Sequence, residues 1–534
     1  MNNTKPKNTL QNNFKYNYIV EDPSGIRFLN VFAFFSFLCA IYGFVQFLAL
    51  DIWYAVLFGP LFSVLFISKL STFLINSFYP EFSVAKHQNF ILDFWDKNPT
   101  KPTVDIMLPI AGESIEVLKE TWEAVNNIQY PNCRVYILDD AGDNQAAELA
   151  QKFGFTYIHR PNKGEWKKSG NIKHGYESSA GEYVVIFDAD FRPIPEALIE
   201  SLPYIISNSE IGILQTPQYF HTDTETNKNS PIEYGAGAVI EDFYRVVMPS
   251  RARFGNAMCV GTSAIYRRKA IIESGMPLVD HTEDVRQGLL TYNQGYHVSY
   301  IPVIISQGVC PNKMDSYIKQ QMRWAYGSFE TIFSHYFTQA KLDNWSKFNY
   351  LTSFLYYLSE AFAPLLSIQI LCLLYFNTET LRLSWAIPFV PFIFYQLVLK
   401  PKFTLNKNLS GIKIVGLAHT FIYSTALVRL LLGKKLDWEA TNAQNQNNKG
   451  DVAQIVRTSS LIFTIFYIVA FLAILIVKPY ILLNFETYII LAFCVYRIVN
   501  YVRFTHFQLT VDKGTIEEKV SELQKSKKIA QINT

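Results

Sequence analysis

Residues 183–190 read YVVIFDAD, a run of aromatic and β-branched residues that ends in two aspartates at i and i+2. A strand with no polar alternation is one covered on both faces, as in a parallel sheet sandwiched by helices. Three other short runs have the same character: VDIMLP (104–109), VYILD (135–139) and TYIH (156–159). Each gives way to polar or glycine residues, and helix-length segments intervene. This alternation predicts a parallel α/β (Rossmann-like) sheet within residues 89–344, with ligands bound off the carboxyl ends of its strands.

The regions on either side are of another kind. The chain has 534 residues, of which 49% are hydrophobic and only 17% charged, so part of it belongs in lipid. Charge-free apolar runs of spanning length are Leu29–Leu50 and Ile52–Ser68, and the next candidate spans are Leu351–Phe376, Leu383–Leu399, Ser459–Val477 and Leu482–Val495. Ile412–Leu432 is also apolar, but Lys400, Lys402, Lys407 and Lys413 precede it and Lys434, Lys435, Lys449 and Arg457 follow. A single crossing cannot keep both basic flanks inside, and His419, Thr420, Ser424, Thr425 and Arg429 give it a polar side. It is therefore expected to lie in the cytoplasmic interface. The plan is six spans with both termini inside.

The expected divisions are a cytosolic tail (1–28), a transmembrane hairpin (29–80), the soluble domain (89–344), transmembrane helices (345–400), an interfacial helix and loop (401–457), transmembrane helices (458–502) and a cytosolic tail (503–534). The net charge of +3 is too small to indicate nucleic acid. Six scattered cysteines form no CxxC pair or metal spacing. The N-terminal stretch is too long and polar before its apolar run for a cleaved signal.

The polar residues after the strands carry the chemistry. LDDAG places Asp139 and Asp140 after one strand, and FDAD places Asp188 and Asp190 after another. Carboxylates at i and i+2 can share a hard divalent cation completed by phosphate oxygens, although a lone DxD more often marks a solvated turn. HTEDVRQG offers Asp284 beside Glu283 at a helix start. It suits either a general base or an acid pair complementing the helix dipole. GEWKKSGNIKHG supplies Lys167, Lys168 and Lys173, for phosphates or for solvent. In QQMRW (320–324), Arg323 can clasp a diphosphate and Trp324 can stack on a sugar, or the tryptophan can sit at the headgroup level. Glu360 falls inside an apolar run and needs a cavity or a partner.

The order of these motifs, an acidic pair, KSGN, DxD, TED and QxxRW between membrane segments, resembles the processive family-2 glycosyltransferases, most closely the bacterial cellulose synthase-like branch. The resemblance covers roughly residues 100–500. It implies a cytosolic GT-A glycosyltransferase domain inserted in a multi-pass helical domain of the inner (plasma) membrane. It also implies a UDP-sugar donor, a growing polysaccharide acceptor, membrane lipids and accessory secretion subunits as partners, and Mg2+ or Mn2+ as cofactor. Position by position, Asp139 and Asp140 would hold the uridine and Lys168 would lie near the nucleotide. Asp188 would contact nucleotide and metal, and Asp190 the metal. Asp284 would be the general base, with Glu283 beside it in the donor site. Gln320 and Arg323 would face the diphosphate, and Trp324 the acceptor end of the polymer. TPQYF (216–220) and MCVGTSAIYRR (258–268) resemble the family's acceptor and channel-mouth stretches.

Three features depart from the family's pattern. PIAGE (109–113) keeps Glu113 but lacks the nucleotide-stacking tyrosine. DWEATNAQ (437–444) resembles the gating loop through Trp438 and Thr441, yet has Ala443 where a lysine is expected. The tail after Tyr501 is too short for a cyclic-di-GMP-binding domain. The expected activity is inverting transfer of glucose from UDP-glucose to a β-glucan secreted through the protein's own channel. The alternatives are an N-acetylhexosamine-containing polymer of the chitin or hyaluronan type, and a non-processive lipid-carrier glycosyltransferase.

Overall fold

The computed structural model describes residues 14–220, 231–277, 282–311, 313–405, 409–434 and 451–508. The anticipated strands form at β1 (Val104–Ile110), β2 (Cys133–Asp139), β3 (Thr156–His159) and β4 (Tyr183–Ile186). They are followed by β5 (Arg192–Pro193), β6 (Ile211–Gln215), β7 (Tyr219–Phe220), β8 (Ala264–Arg267), β9 (His297–Tyr300) and β10 (Ser306–Gly308). Seven of them build one sheet in the order β3-β2-β1-β4-β8-β6-β9, and a second sheet has the order β5-β10-β7. β1 and β4 are buried along their whole length, as their unbroken apolar runs require.

The large sheet is mixed rather than all-parallel. β3, β2, β1 and β4 are parallel, but β8 runs antiparallel to both β4 and β6. The consequence is useful. Ile186 at the end of β4 pairs with Ala264 at the start of β8, so the segment entering β8 arrives at the same edge as the carboxyl ends of the parallel strands. Residues 258–263 thereby join the site-forming edge.

Around this domain, among the described residues, stand six helices long and apolar enough to cross a membrane: Pro23–Leu48, Ile52–Asn76, Leu383–Phe403, Gly411–Leu431, Val452–Val477 and Phe485–Gln508. One expectation changes here. The single span expected at Leu351–Phe376 is a pair, Asn344–Ala361 and Ala363–Phe376, bent by 50°. Pro364 lies in the first turn of the second helix, where its missing N–H and its ring interrupt the helix before it. The helix expected to float in the interface is also long and apolar enough to span, and its polar side faces inward. His419, Thr420 and Thr425 are buried, and Tyr317 hydrogen-bonds His419. Charge flanks alone could not report this, because the polar side is satisfied by protein.

One continuous hydrophobic core runs from the sheet (Ile106, Val185, Ile265) to the membrane-length helices (Phe354, Phe421, Tyr467). The tightest crossing joins Pro231–Asp242 to Leu409–Leu431. A Cβ on Gly235 would lie 2.3 Å from the Gly411 carbonyl oxygen, and one on Gly411 would lie 2.7 Å from that of Pro231. Gly235→Leu should therefore lower the melting midpoint of the detergent-solubilised protein, with overpacking costing about 1–3 kcal/mol. An unchanged midpoint would mean that these backbones do not touch.

Candidate active site

The KSGN segment shows how sequence becomes geometry. Asn171 is buried and donates from its amide to the Leu138 carbonyl at the end of β2. Gly170 leaves no room for a side chain, since a Cβ there would meet Arg160 Nη1 and the Glu165 carbonyl at 2.5 Å. Ser169 Oγ donates to the Trp166 carbonyl at 2.8 Å. The helix Lys167–Glu177 is thus pinned against β2, and Lys168 is directed at Asp188, with which it pairs. Burial alone would lower Lys168, but Asp188, Glu283 and Asp284 outweigh it and hold the ammonium above its ordinary value.

The aspartates after β2 divide. Asp140 faces the cavity described below, paired with the buried Arg160 at 2.6 Å and accepting from the Gly164 N–H at 3.0 Å. Asp139 does not face it. Its carboxylate is fully buried and accepts from the Ala141 and Asp143 N–H groups at 2.7 Å and from the Tyr157 hydroxyl at 2.6 Å. The acceptor capacity of Asp139 is engaged in shaping the loop that carries Asp140.

Asp188, Asp190 and Glu113 gather after β4 and β1. Burial, Asp188 and Glu113 together push Asp190 up to about 7. Glu113 is raised chiefly by burial, although the Ala111 N–H donates to it at 2.7 Å. From the far side, Thr262 Oγ1 accepts the Asp188 N–H at 2.9 Å. The neighbouring Gly261 has φ +87°, and a Cβ there would come within 3.3 Å of Asp284 Oδ2. Asp284 itself lies in the first turn of the helix Glu283–Tyr292 and accepts from the Val285 N–H at 2.7 Å. Burial raises both Glu283 and Asp284 above the usual carboxylate range. Gly261→Ala strains the backbone and crowds this carboxylate. Turnover should fall by about 10- to 100-fold, since small misplacements of a reacting group carry such penalties. Donor affinity should stay within threefold, and a full-rate variant would show that the loop does not position Asp284.

The helix Met314–Phe333 carries QQMRW. Gly327 on it allows the TED segment to approach, because a Cβ there would lie 2.6 Å from Thr282 Oγ1. Arg323 is drawn into the acidic group: burial lowers its guanidinium somewhat, against the pull of Glu283, Asp188 and Asp284. Gln321 accepts from the Tyr423 hydroxyl at 2.8 Å, tying this helix to Leu409–Leu431.

A single cavity of about 1200 Å³ receives these side chains. Glu113, Asp140, Lys168, Asp188, Asp190, Glu283, Asp284, Gln320, Arg323 and Trp324 all line it. Its wall continues past Gln218 and Phe220 to Phe37, Lys69, Phe73, Glu360 and Phe392 among the membrane-length helices. Glu360 has its partner there, Lys69 Nζ at 3.2 Å. Of the acidic and basic residues singled out after the strands, Asp139 and Lys173 lie off this wall. Trp438, Thr441 and Ala443 lie outside the described residues.

The donor set suits a hard divalent cation. Asp188 and Asp190 present carboxylates into the cavity, Asp188 pairing with Lys168 and Asp190 raised by burial first and by Asp188 and Glu113 after it. Among the described residues no group of three or more His, Cys, Asp or Glu side chains forms a complete metal cage. Two carboxylates with phosphate oxygens are the arrangement Mg2+ and Mn2+ favour. Sequence reasoning missed Arg160 and Trp166. Trp166 stands 49% exposed on the cavity wall beside Lys167, at φ +54°. The GEWKK stretch held the signal, an aromatic residue beside a basic pair.

An α/β domain whose strand ends open into a cavity continuous with membrane-length helices defines the class. Residues 105–275 match the sequence profile of Glycosyl transferase family 2. The "Cellulose synthase 1 catalytic subunit [UDP-forming]" of Komagataeibacter xylinus is 30% identical over 237 residues, covering 44% of this chain and 32% of the relative. The "Cellulose synthase catalytic subunit [UDP-forming]" of Pseudomonas fluorescens is 30% identical over 229 residues, covering 42% and 31%. A mannosyltransferase from Pyrobaculum calidifontis, solved with GDP-Man and Mn2+, has 14% identity and a TM-score of 0.46, covering 66% of this chain and 97% of that one. The central α/β domain thus matches Glycosyl transferase family 2 over residues 105–275 and is cellulose synthase-like in sequence. The match spans about a third of the length of these curated relatives.

Proposed function

We propose that the chain is a membrane-embedded, processive, inverting glycosyltransferase that moves glucose from UDP-glucose to a growing β-glucan and conducts the product through its own helices. What supports this reading is the continuity of one cavity from the acidic cluster at the strand ends to the Lys69–Glu360 pair between apolar helices.

The acceptor hydroxyl gives its proton to Asp284 as its oxygen attacks the anomeric carbon, and the bond to the diphosphate breaks in line. One base suffices for such a displacement, so no carboxylate nucleophile is required. Arg323 and Lys168 neutralise charge on the departing UDP. Asp188 and Asp190 would hold Mg2+ or Mn2+, which supplies further electrostatic stabilisation of the diphosphate. Asp140, oriented by Arg160, faces the uridine, and Trp166 offers the aromatic surface that the missing tyrosine does not. Trp324 supports the terminal sugar. The catalytic domain faces the cytosol, where nucleotide sugars are made, and accessory secretion subunits would meet the polymer on leaving.

The test is incubation of the purified protein in nanodiscs with each radiolabelled UDP-sugar. UDP release from UDP-glucose, with a polymer degraded by a β-glucanase, is the expected result. Incorporation from UDP-N-acetylglucosamine alone would move the assignment to a chitin- or hyaluronan-type polymer. A short organic-soluble product would indicate lipid-carrier chemistry, and no release from any donor would end the proposal.

A further inference from the structure

The acceptor-side stretch TPQYF is held from behind by residues far away in sequence. Successive side chains of an extended segment point to opposite faces. Gln218 and Phe220 line the cavity, while the intervening Tyr219 does not. Tyr219 meets the segment Phe14–Val20 instead. Phe14 stacks on its ring at 5.5 Å with 13° between planes, and Tyr18 meets it edge-on at 5.4 Å. Asn17 lies near its hydroxyl and opposes the effect of burial on it. Three side chains of one short segment thus converge on the non-cavity face of a two-residue strand.

The segment is anchored independently of Tyr219. The Lys15 carbonyl accepts from the Ile304 N–H at 2.9 Å, just ahead of β10. Lys15 Nζ pairs with Glu200 at 2.7 Å, and His87 holds the other oxygen of the same carboxylate. Tyr18 and Ile19 are buried in the core of the domain.

What the segment touches leads into the site. β7 pairs with β10, and β10 with β5, which follows the DAD motif directly. Gly308 of β10 is covered by the Phe191 ring, which would lie 2.5 Å from a Cβ there, and Phe191 meets Phe220 edge-on at 5.5 Å. Phe191 adjoins Asp190. The small sheet therefore carries the acceptor-side wall on β7 at one edge and, at the other, β5, which begins two residues after the metal-binding candidate Asp190.

We infer that residues Phe14–Val20 are a positioning brace for the acceptor-side wall: by clamping Tyr219 they set Gln218 and Phe220 against the growing polymer. The inference deepens the function proposed above and rests on it for the nature of the acceptor. These residues touch neither donor nor acceptor. Their loss lets the polymer end slip between transfers, so it shortens the product before it slows use of the donor.

The experiment uses the full chain in nanodiscs with Phe14→Ala, Asn17→Ala and the double variant, and with Phe14→Leu as the conservative replacement. Mean product length should fall at least threefold in the double variant, with the KM for UDP-glucose within twofold, and Phe14→Leu should restore most of it. Unchanged product length, or a donor KM rising in step with the loss, would overturn the brace. Hydrogen exchange supplies an arm that needs no turnover. Amides of 192–193, 219–220 and 306–308 should lose at least tenfold protection in the double variant, while those of β1 and β4 stay protected. Uniform loss or none would sink the inference. A wild-type protein that released no UDP would defeat the proposed function and leave the exchange result to decide the brace.

Discussion

Asp284→Asn should reduce turnover by about 10²- to 10⁴-fold, the range expected when a general base is removed. The amide keeps the shape of the carboxylate and can still accept the Val285 N–H that now bonds it at 2.7 Å, so the helix start should survive. UDP-glucose affinity, measured by calorimetry, should stay within a few-fold. The pH dependence adds an independent mark. Burial holds Asp284 above the ordinary aspartate range, and the base must be deprotonated to act. The rate should therefore fall as pH drops, beginning at a higher pH than an exposed aspartate would give. In the asparagine variant this acid limb should vanish from the residual rate. A variant retaining a tenth of the wild-type turnover would remove Asp284 from the role of base.

Arg323→Ala should cost about 10²- to 10³-fold in turnover, comparable to losing one preorganised donor to a developing negative charge. The structural reason is that its guanidinium lies buried within the pull of Glu283, Asp188 and Asp284. Without it the carboxylates face a diphosphate with less opposing charge, and UDP inhibition should weaken in parallel. Arg323→Lys should recover only part, because an ammonium keeps the charge but not the planar two-pronged geometry. Equal effects of alanine and lysine would point to shape rather than charge alone, and a fully active alanine variant would place the diphosphate elsewhere.

Most site residues were legible because each lies beside a strong local signal. Asp188 and Asp190 follow an apolar strand, Asp284 lies in the first turn of a helix, and Lys168 sits in a glycine-bearing turn. Asp139 and Asp140, adjacent aspartates after a strand, are alike in sequence. Only the turn geometry decides which carboxylate bonds the loop and which enters the cavity. Arg160 and Trp166 escaped notice since their roles are relations, one to Asp140 across twenty positions of chain and the other to an open wall. The bend at Phe362 was marked by Pro364, but hydropathy averages over a proline and sees one long run.

The amino-acid sequence alone determined the alternation of strand and helix, the apolar helices on either side, and the set of polar residues at strand ends, because these follow from local periodicity and from the cost of burying charge. Tertiary structure decided that β8 runs backwards and brings Gly261 and Thr262 to the site edge. It decided that the polar face of Leu409–Leu431 packs inward, and that Lys69 answers Glu360 across two helices. Those outcomes depend on partners distant in the chain. A residue's neighbours in space, not its neighbours in sequence, determine whether its charge is paired, solvated or left facing a substrate.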